Sequence, residues 1–263
     1  MNVQRILGES VRARWGRVAL VAAALGALGA PAPARAAECM RIAIPAYFYP
    51  GPTWSQAIAG APTVGTMVMN PASGPGEAIN TDYVATVAQA RAAGIAVLGY
   101  VYTSYGDRPL AEVTAEIDAY ALWYGVDGIF LDESSSDAAD LAYYQAAAAH
   151  VRAATARGVV MLNPGTYPAE AYLSVADLVL VFEGAYGAYQ SLVVPSWVQK
   201  YAASHFAHVV YSASSAARMK QVMKWAKARG AGHVFVTADR LPNPYDTLPS
   251  YWTTEVSTTA NTC

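Results

Sequence analysis

Along residues 37–263, short apolar runs rich in β-branched residues alternate with alanine-rich segments whose apolar positions recur with helical spacing. The pattern predicts eight strands, at Ile42–Tyr49, Val64–Asn70, Ile95–Tyr102, Val126–Glu133, Gly158–Asn163, Asp177–Glu183, His208–Ser212 and His233–Asp239. It predicts helices between them, most clearly at Asp82–Ala93, Leu110–Tyr124, Ala138–Arg157 and Ala216–Arg229. The Thr- and Ser-rich tail after Trp252 is expected to be a short surface extension.

The order and polarity of these segments indicate the fold class. Strand segments that are apolar at nearly every position, such as Leu178–Phe182, are typical of a parallel sheet covered on both faces. Eight strand–helix units in about 225 residues match an α/β fold with a single (β/α)8 TIM barrel. A doubly wound open sheet is the rival, but the turn after its first strand usually carries G-x-G-x-x-G, and residues 49–54 read YPGPTW.

Residues 1–36 have the features of an export signal. Four arginines precede the apolar run Val18–Ala30, and Ala34 and Ala36 supply small residues at a cleavage site. An uncleaved anchor is the alternative, although the run is shorter than the roughly 20 residues that a membrane span needs. We therefore expect a barrel domain at 37–263 that is secreted, periplasmic or at the cell surface, with no membrane association after signal cleavage.

The two cysteines of the chain, Cys39 and Cys263, lie at the two ends of this domain. Export favours a disulfide between them, because such bonds persist in oxidising compartments. Closure of a barrel would also bring the first and last strands together. Two free thiols are the alternative, since pairing cannot be deduced from sequence.

Composition narrows the classes of partner. Hydrophobic residues make up 54% of the chain and charged residues 14%, which favours a large buried core. The net charge is −2 and no basic cluster is present, so a nucleic-acid partner is not expected. The 18 tyrosines and 6 tryptophans suit contacts with sugar rings, although many of them must belong to the core. We expect the mature protein to be a monomer.

Polar residues collect at the carboxyl ends of the predicted strands, where TIM barrels carry their active sites. These residues are Tyr47, Tyr49, Asn70, Tyr102, Asp132, Glu133, Asn163, Glu183, Tyr211 and Asp239. Cleavage of a glycosidic bond needs two carboxyl groups, one acting as acid and one as nucleophile or base. Strands 4 and 6 are two positions apart around the barrel, so their acids could lie on opposite sides of a sugar.

We predict from these strand ends that Asp132 is the nucleophile and Glu183 the acid/base. Side chains alternate along a strand, so Asp132 and Glu133 would face opposite ways unless the strand has already ended at Glu133. Glu133 would then tune the pKa values of the other two acids or hold substrate hydroxyl groups; the alternative is a salt-bridged residue at the rim. The non-acidic residues of the set, together with Asp239, are candidate substrate-binding residues. Asp239 could equally form an ion pair with Arg240.

Other acidic and histidine residues favour structural roles. Asp127 and Asp177 precede their strands and are expected to anchor loops at the opposite end of the barrel. The histidines form no metal-binding pattern, and His208 and His233 are expected to precede their strands. We expect no metal and no cofactor, and the sequence contains neither a G-x-S-x-G elbow nor a P-loop.

Several ordered segments together resemble the spherulin-4-like family, glycoside hydrolase family 135, over about residues 42–252. They read IPAYFYP at 44–50, MNP at 69–71, GYVYTSYG at 99–106, YGVDGIFLDE at 124–133, NPG at 163–165 and FEG at 182–184. The resemblance implies endo-acting hydrolysis of α-linked N-acetylgalactosamine in a galactosaminogalactan-type exopolysaccharide, as in a biofilm matrix. It also implies that Asp132, Glu133 and Glu183 are the essential acids.

Two other functions compete with this interpretation. A non-catalytic carbohydrate-binding barrel of a cell envelope or spore coat would have no need for two convergent carboxyl groups. A sugar deacetylase or other metal hydrolase would need a ligand cluster that the sequence does not display. An endo-glycosidase is therefore the favoured prediction.

Overall fold

The computed structural model describes residues 39–263, and the predicted export signal at 1–36 lies outside them. Eight parallel strands form a closed barrel in sequence order, as predicted. The barrel closes where Arg41 and Ile42 pair with His233 and Val234. The strands are β1 Arg41–Ala46, β2 Val64–Met69, β3 Ala96–Tyr102, β4 Gly128–Asp132, β5 Val159–Leu162, β6 Leu178–Ala185, β7 Phe206–Tyr211 and β8 His233–Val236.

Helices and short 3-10 turns connect and follow these strands. In the described part of the chain the α-helices are α1 Pro52–Ile58, α2 Thr81–Ala92, α3 Leu110–Tyr124, α4 Leu141–Ala154, α5 Tyr186–Tyr189, α6 Ala216–Ala228 and α7 Trp252–Ala260. The 3-10 turns are Ser104–Gly106, Ala138–Asp140, Glu170–Ser174, Ser196–Lys200 and Ala203–His205. The predicted helix at Ala138–Arg157 is therefore shorter, with a 3-10 turn in place of its first residues. None of the helices described is long and apolar enough to cross a membrane.

The expectation for the tail after Trp252 is wrong. The tail forms α7, and its residues Trp252, Glu255 and Thr259 are buried. The carboxyl group of Glu255 accepts a hydrogen bond at 2.8 Å from the backbone N–H of Val236, the last residue of β8. Burial raises the pKa of Glu255 well above its ordinary value. The tail is thus part of the folded barrel.

Acidic residues anchor loops at the amino ends of the strands, as predicted. Asp127, just before β4, is buried, pairs with Arg91 at 3.1 Å and accepts a hydrogen bond at 3.0 Å from the backbone N–H of Val97. Asp177, just before β6, accepts a hydrogen bond at 2.8 Å from the backbone N–H of Val160. Both acids therefore join neighbouring strands at the end of the barrel away from the predicted site.

Much of the aromatic content belongs to the core. The largest fully buried side chains are Trp54, Tyr120, Tyr144, Tyr172, Tyr189, Phe130, Phe206, Phe235, Ile42, Ile44, Met67 and Met69. Tyrosine content is thus weak evidence for sugar binding by itself, and the exposed tyrosines carry the functional information.

A disulfide joins Cys39, just before β1, to Cys263, just after α7. Next to it, the backbone N–H of Met40 donates a hydrogen bond to Thr262 Oγ1 at 2.9 Å. The predicted pairing is confirmed, and it ties together the two ends of the domain.

Candidate active site

A cavity of about 310 Å³ opens at the carboxyl ends of the barrel strands. Its volume lies at the lower end of the range for small-molecule sites. The lining residues are Tyr105, Asp132, Glu133, Asn163, Pro164, Gly165, Glu183, Tyr211 and Leu241. Five residues predicted from the strand ends, including all three predicted catalytic acids, therefore line one cavity.

The end of β4 brings two carboxyl groups into this cavity. Asp132 is the last residue of β4, and Glu133 follows it with a φ of 49°, in the left-handed region. Non-glycine residues adopt this conformation rarely and at a cost in free energy. Because the strand has ended, the alternation that would turn Glu133 away from the cavity no longer applies. Both acids line the cavity as a result.

A buried threonine holds this bend in place. The backbone N–H of Thr103 donates a hydrogen bond to the carbonyl oxygen of Asp132 at 2.9 Å. The hydroxyl Oγ1 of Thr103 donates to the carbonyl oxygen of Glu133 at 2.8 Å. The same Oγ1 lies 2.9 Å from the hydroxyl oxygen of Tyr144, which accepts a hydrogen bond from the backbone N–H of Ser135. These buried contacts over-determine the backbone at the Asp132–Glu133 step, which is how strained conformations persist.

Asn163 bridges two of the acids. Its Nδ2 donates to Asp132 Oδ1 at 2.7 Å and to Glu183 Oε2 at 2.6 Å. Its Oδ1 accepts a hydrogen bond from the backbone N–H of Gly165 at 2.9 Å, which orients the amide. The two carboxyl oxygens can be no farther apart than the sum of the two Nδ2 distances, about 5.3 Å. Asn163 therefore sets both the spacing and the orientation of the pair.

Glu183 on β6 has an environment suited to holding a proton. Burial raises the pKa of Glu183 most strongly. The hydroxyl of Tyr245 and the amide of Asn163 lower this pKa by donating hydrogen bonds, and the charge of Asp132 raises it. The net result is a pKa above the ordinary value. The hydroxyl of Tyr245 donates to Glu183 Oε1 at 2.6 Å. A carboxyl group with a raised pKa, close to a second acid, is typical of a general acid.

Three tyrosines pack edge to face beside the acids. The ring of Tyr47 lies 5.7 Å from the ring of Tyr100 and 5.7 Å from that of Tyr245. Burial raises the pKa of all three, and the charge of Asp132 raises each further. Tyr100 also forms a hydrogen bond to Asp132 that raises its pKa. All three hydroxyls therefore keep their protons and can act as donors to the carboxylates.

Two predicted binding residues lie away from the cavity, in the loops after β1 and β2. Tyr49 is 58% exposed, and its hydroxyl donates to Asp82 Oδ2 at 2.8 Å, near the start of α2. Asn70 Oδ1 accepts a hydrogen bond from the backbone N–H of Gly74 at 3.0 Å and so closes a turn. Neither residue lines the cavity, and a role for them in substrate binding stays a prediction.

Tyr102 and Asp239 also do not line the cavity. The guanidinium group of Arg108 lies 4.1 Å from the centre of the Tyr102 ring and covers it. Asp239 accepts a hydrogen bond from Thr247 Oγ1 at 2.8 Å, and in the described part of the chain it does not pair with Arg240. Their predicted roles likewise stay predictions. Of the predicted substrate-binding set, Asn163 and Tyr211 line the cavity, and Tyr47 packs behind it.

Besides Pro164 and Gly165, which follow Asn163, four residues of the site were not predicted from the strand ends. Tyr100 lies two residues before Tyr102 on β3, so strand alternation places it on the same face one layer deeper, and this signal could have been used. Tyr105, Leu241 and Tyr245 lie in loops with no regular pattern to locate them.

His208 has a structural position in the core of the fold. His208 lies inside β7, which begins two residues earlier than expected, and is fully buried. Its Nδ1 lies 2.7 Å from the hydroxyl oxygen of Tyr189, and burial lowers its pKa to about 3. Within residues 39–263, no group of three His, Cys, Asp or Glu side chains could hold a metal ion.

Comparison with known proteins identifies the family of the chain. The model of the spherulation-specific family 4, Spherulin4, matches residues 41–259. Spherulin-4 of Physarum polycephalum is 34% identical over 237 residues, which cover 85% of this chain and 71% of that protein. The crystal structure of Aspergillus clavatus Sph3 in complex with GalNAc is 27% identical, with a TM-score of 0.75, and covers 85% of this chain and 98% of that one.

More distant structures share the fold alone. A cyclic maltosyl-maltose hydrolase from Arthrobacter globiformis is 9% identical with a TM-score of 0.55, over 86% of this chain and 81% of that one. The family match covers every strand of the barrel and all three acids at the cavity. The resemblance seen in the sequence motifs is confirmed, and the chain belongs to the Spherulin4 family, the spherulation-specific family 4.

Proposed function

We propose that this protein is a secreted glycoside hydrolase that cuts within exopolysaccharides containing α-linked N-acetylgalactosamine. The observation that carries the proposal is the pair Asp132 and Glu183, bridged by Asn163 at one cavity at the active end of a TM barrel. Such a pair is what glycosidic bond cleavage requires. The complex of Aspergillus clavatus Sph3 with GalNAc supports an amino sugar as part of the substrate.

The reaction follows from the roles of the two acids. Asp132 attacks the anomeric carbon while Glu183 donates its proton to the glycosidic oxygen, which leaves with the departing chain. Water, deprotonated by Glu183, then attacks the glycosyl ester on Asp132 and releases the free sugar end. The raised pKa of Glu183 suits its first role, and Tyr100 stabilises the Asp132 carboxylate between turnovers. Glu133, which lines the cavity, is left to hold substrate hydroxyl groups.

The enzyme is expected to retain the configuration of the anomeric carbon. In α-linked N-acetylgalactosamine the acetamido group is cis to the leaving group and cannot attack from the back face, so a retaining mechanism needs a nucleophile from the protein. Retaining enzymes hold their carboxyl groups about 5–5.5 Å apart, and inverting enzymes about 6.5–9.5 Å apart. The upper limit of about 5.3 Å between the bridged oxygens supports retention. NMR of the first product released from a defined oligosaccharide measures the outcome; an initial β-anomer would contradict it.

Removing the Tyr245 hydroxyl is expected to move one limb of the pH–activity profile. In Tyr245→Phe the Glu183 carboxylate loses the donor that lowers its pKa, so that pKa rises. If Glu183 must be protonated for the first step, the alkaline limb of kcat/KM moves to higher pH. A matched Tyr201→Phe variant removes a hydroxyl that donates to the Glu170 carboxyl group, away from the cavity, and its profile serves as the comparison. Movement of the acidic limb alone would identify Glu183 as the nucleophile and reverse the proposed roles.

The alternative function is a non-catalytic carbohydrate-binding barrel. The assay that separates the two is release of reducing ends from galactosaminogalactan, from its partly deacetylated forms and from neutral galactans. Binding to a polymer without release of reducing ends would establish the binding barrel. Release of large fragments from one of these polymers would establish an endo-acting enzyme and identify its substrate.

The setting in which the protein acts is also proposed. We infer that residues 1–36 are removed on export and that residues 37–263 act as a monomer outside the cytoplasm. The disulfide between Cys39 and Cys263 supports this, because disulfides are typical of oxidising compartments.

A further inference from the structure

Tyr105 is an exposed aromatic residue at the rim of the cavity that the proposed reaction does not use. It lies in the turn Ser104–Gly106 after β3, lines the cavity and is 62% exposed. Among residues 39–263, no side chain stacks on its ring or bonds to its hydroxyl. The Tyr105 ring is thus an exposed aromatic surface at the cavity, although burial of that surface would stabilise the fold.

The backbone holds Tyr105 in a strained position. Ser104 and Tyr105 have φ angles of 46° and 57°, two successive non-glycine residues in the left-handed region. The N–H of Tyr105 donates to the carbonyl oxygen of Glu133 at 2.6 Å, and Glu133 is itself left-handed. Strained residues that cluster at one rim are typical of functional sites, because the surrounding structure must enforce them. The hydrogen bond also fixes the loop of Tyr105 to the loop of Glu133.

The cavity combines polar and apolar surfaces. Carboxyl groups of Asp132, Glu133 and Glu183 line it, and Leu241, which is 66% exposed, adds a second bare apolar side chain from the loop after β8. A pyranose ring has hydroxyl groups around its edge and an apolar face of C–H groups. Acids that bind hydroxyl groups and an aromatic ring that covers the C–H face together match such a ring.

We propose that Tyr105 is a stacking platform for a sugar unit next to the bond that is cut, and that its strained turn exists to hold the ring there. The inference rests on the proposed action on a polysaccharide and adds a binding residue for it. Tyr105 takes no part in proton transfer or attack, so its contribution is to substrate binding. It should therefore be visible in KM rather than in kcat.

Three substitutions separate the ring from the backbone. Tyr105→Phe keeps the ring, Tyr105→Ala removes it, and Tyr105→Gly removes it while fitting the left-handed φ better than any other residue. For the polymer that the wild-type enzyme cuts, we expect KM to rise about tenfold in the Ala and Gly variants, with kcat within about twofold of wild type. Tyr105→Phe should stay within about twofold of wild type in both. Leu122→Ala removes an exposed apolar side chain on α3 away from the cavity and should change neither.

Binding is measured separately in a Glu183→Gln background, where turnover does not interfere. Calorimetry with oligosaccharides of the same polymer should give a Kd about tenfold higher when Tyr105 is replaced by Ala or Gly. A Gly variant that binds as wild type does would show that the loop backbone acts and the ring does not, and would overturn the proposal. Equal losses in Phe and Ala would also overturn it, since the hydroxyl would then be the binding group.

The outcomes also separate this inference from the proposed function. If the wild-type protein cuts no galactosamine-containing polymer, the proposed function is wrong, and the variants are compared on whichever polysaccharide of the panel it binds. Loss of that binding in the Ala and Gly variants would still support the platform. If the wild-type protein binds no polysaccharide of the panel, both proposals fail.

Discussion

Replacing Asp132 by Asn or Glu183 by Gln is expected to lower kcat on the polymer substrate about 10³-fold or more in each case. Neither amide can attack the anomeric carbon or exchange a proton with the glycosidic oxygen. The two roles differ, so the remaining acid cannot substitute for the one lost. Both variants should fold, because each amide has nearly the shape of the acid it replaces and Asn163 can still contact it. Melting temperatures and reducing-end assays measure the two effects.

The control for this pair is Glu112→Gln, which removes a charge from an exposed position on α3. It should leave kcat unchanged. An activated aryl glycoside separates the two roles further, because a good leaving group needs little protonation. With this substrate the rate of the first step should recover largely in Glu183→Gln, whereas it should stay low in Asp132→Asn. Near-normal rates on the polymer in either variant would remove that residue from the proposed mechanism.

The barrel and its acids could be predicted because they depend on simple periodicity. Strands such as β6, Leu178–Ala185, are continuous apolar runs, and such runs are typical of parallel sheets. A carboxyl group directly after such a run, as at Asp132 and at Glu183, has no role in packing and points to the open end of the barrel. The topology of a TM barrel then brings acids from separate strands to one cavity, without any detail of the loops.

Which side chains enter the cavity could not be predicted, because it depends on loop backbone. Alternation places Glu133 on the wrong face, and only its left-handed φ, held by contacts of Thr103, turns it towards the cavity. Tyr245 donates to Glu183 from an irregular loop that follows β8 by several residues. Conversely, Tyr49 stands near the end of β1, yet it binds the start of α2 instead. The position of a residue at a strand end predicts that it lies near the cavity, but the conformation of the loop determines whether its side chain contacts the cavity.

The segment after Trp252 shows a second limit of prediction from the sequence. Thr and Ser have low helix propensity, so the sequence after Trp252 has little intrinsic tendency to form α7. Tertiary contacts nevertheless stabilise the helix. The indole of Trp252 is buried, and the Glu255 carboxyl group accepts a hydrogen bond from the backbone N–H of Val236. The disulfide at Cys263 then fixes the end of the segment to Cys39. The local sequence pattern after Trp252 contains no information about these contacts, because Val236 and Cys39 lie far away along the chain.

Removing the disulfide is expected to lower the free energy of unfolding by up to about 5 kcal/mol. The bond closes a loop with a sequence separation of 224 residues, and in the chain-entropy model such a long loop restricts the unfolded chain strongly. The native fold should persist, because β1 and β8 still pair at Arg41 and Ile42. The cavity lies at the other end of the strands, so kcat at 25 °C should be unchanged. For a domain of this size the change corresponds to a fall in Tm of about 10–20 °C.

The comparison uses the double variant Cys39→Ser with Cys263→Ser, which leaves no free thiol, against the oxidised wild-type protein. Denaturant unfolding should show a lower midpoint together with a higher m-value, because the unfolded chain without the cross-link exposes more surface. Wild-type protein treated with a reductant should move to the midpoint of the double variant, which shows that the serine side chains themselves are not the cause. A midpoint and m-value equal to those of the oxidised protein would mean that the unfolded chain is already compact near its ends, since the cross-link would then restrict nothing.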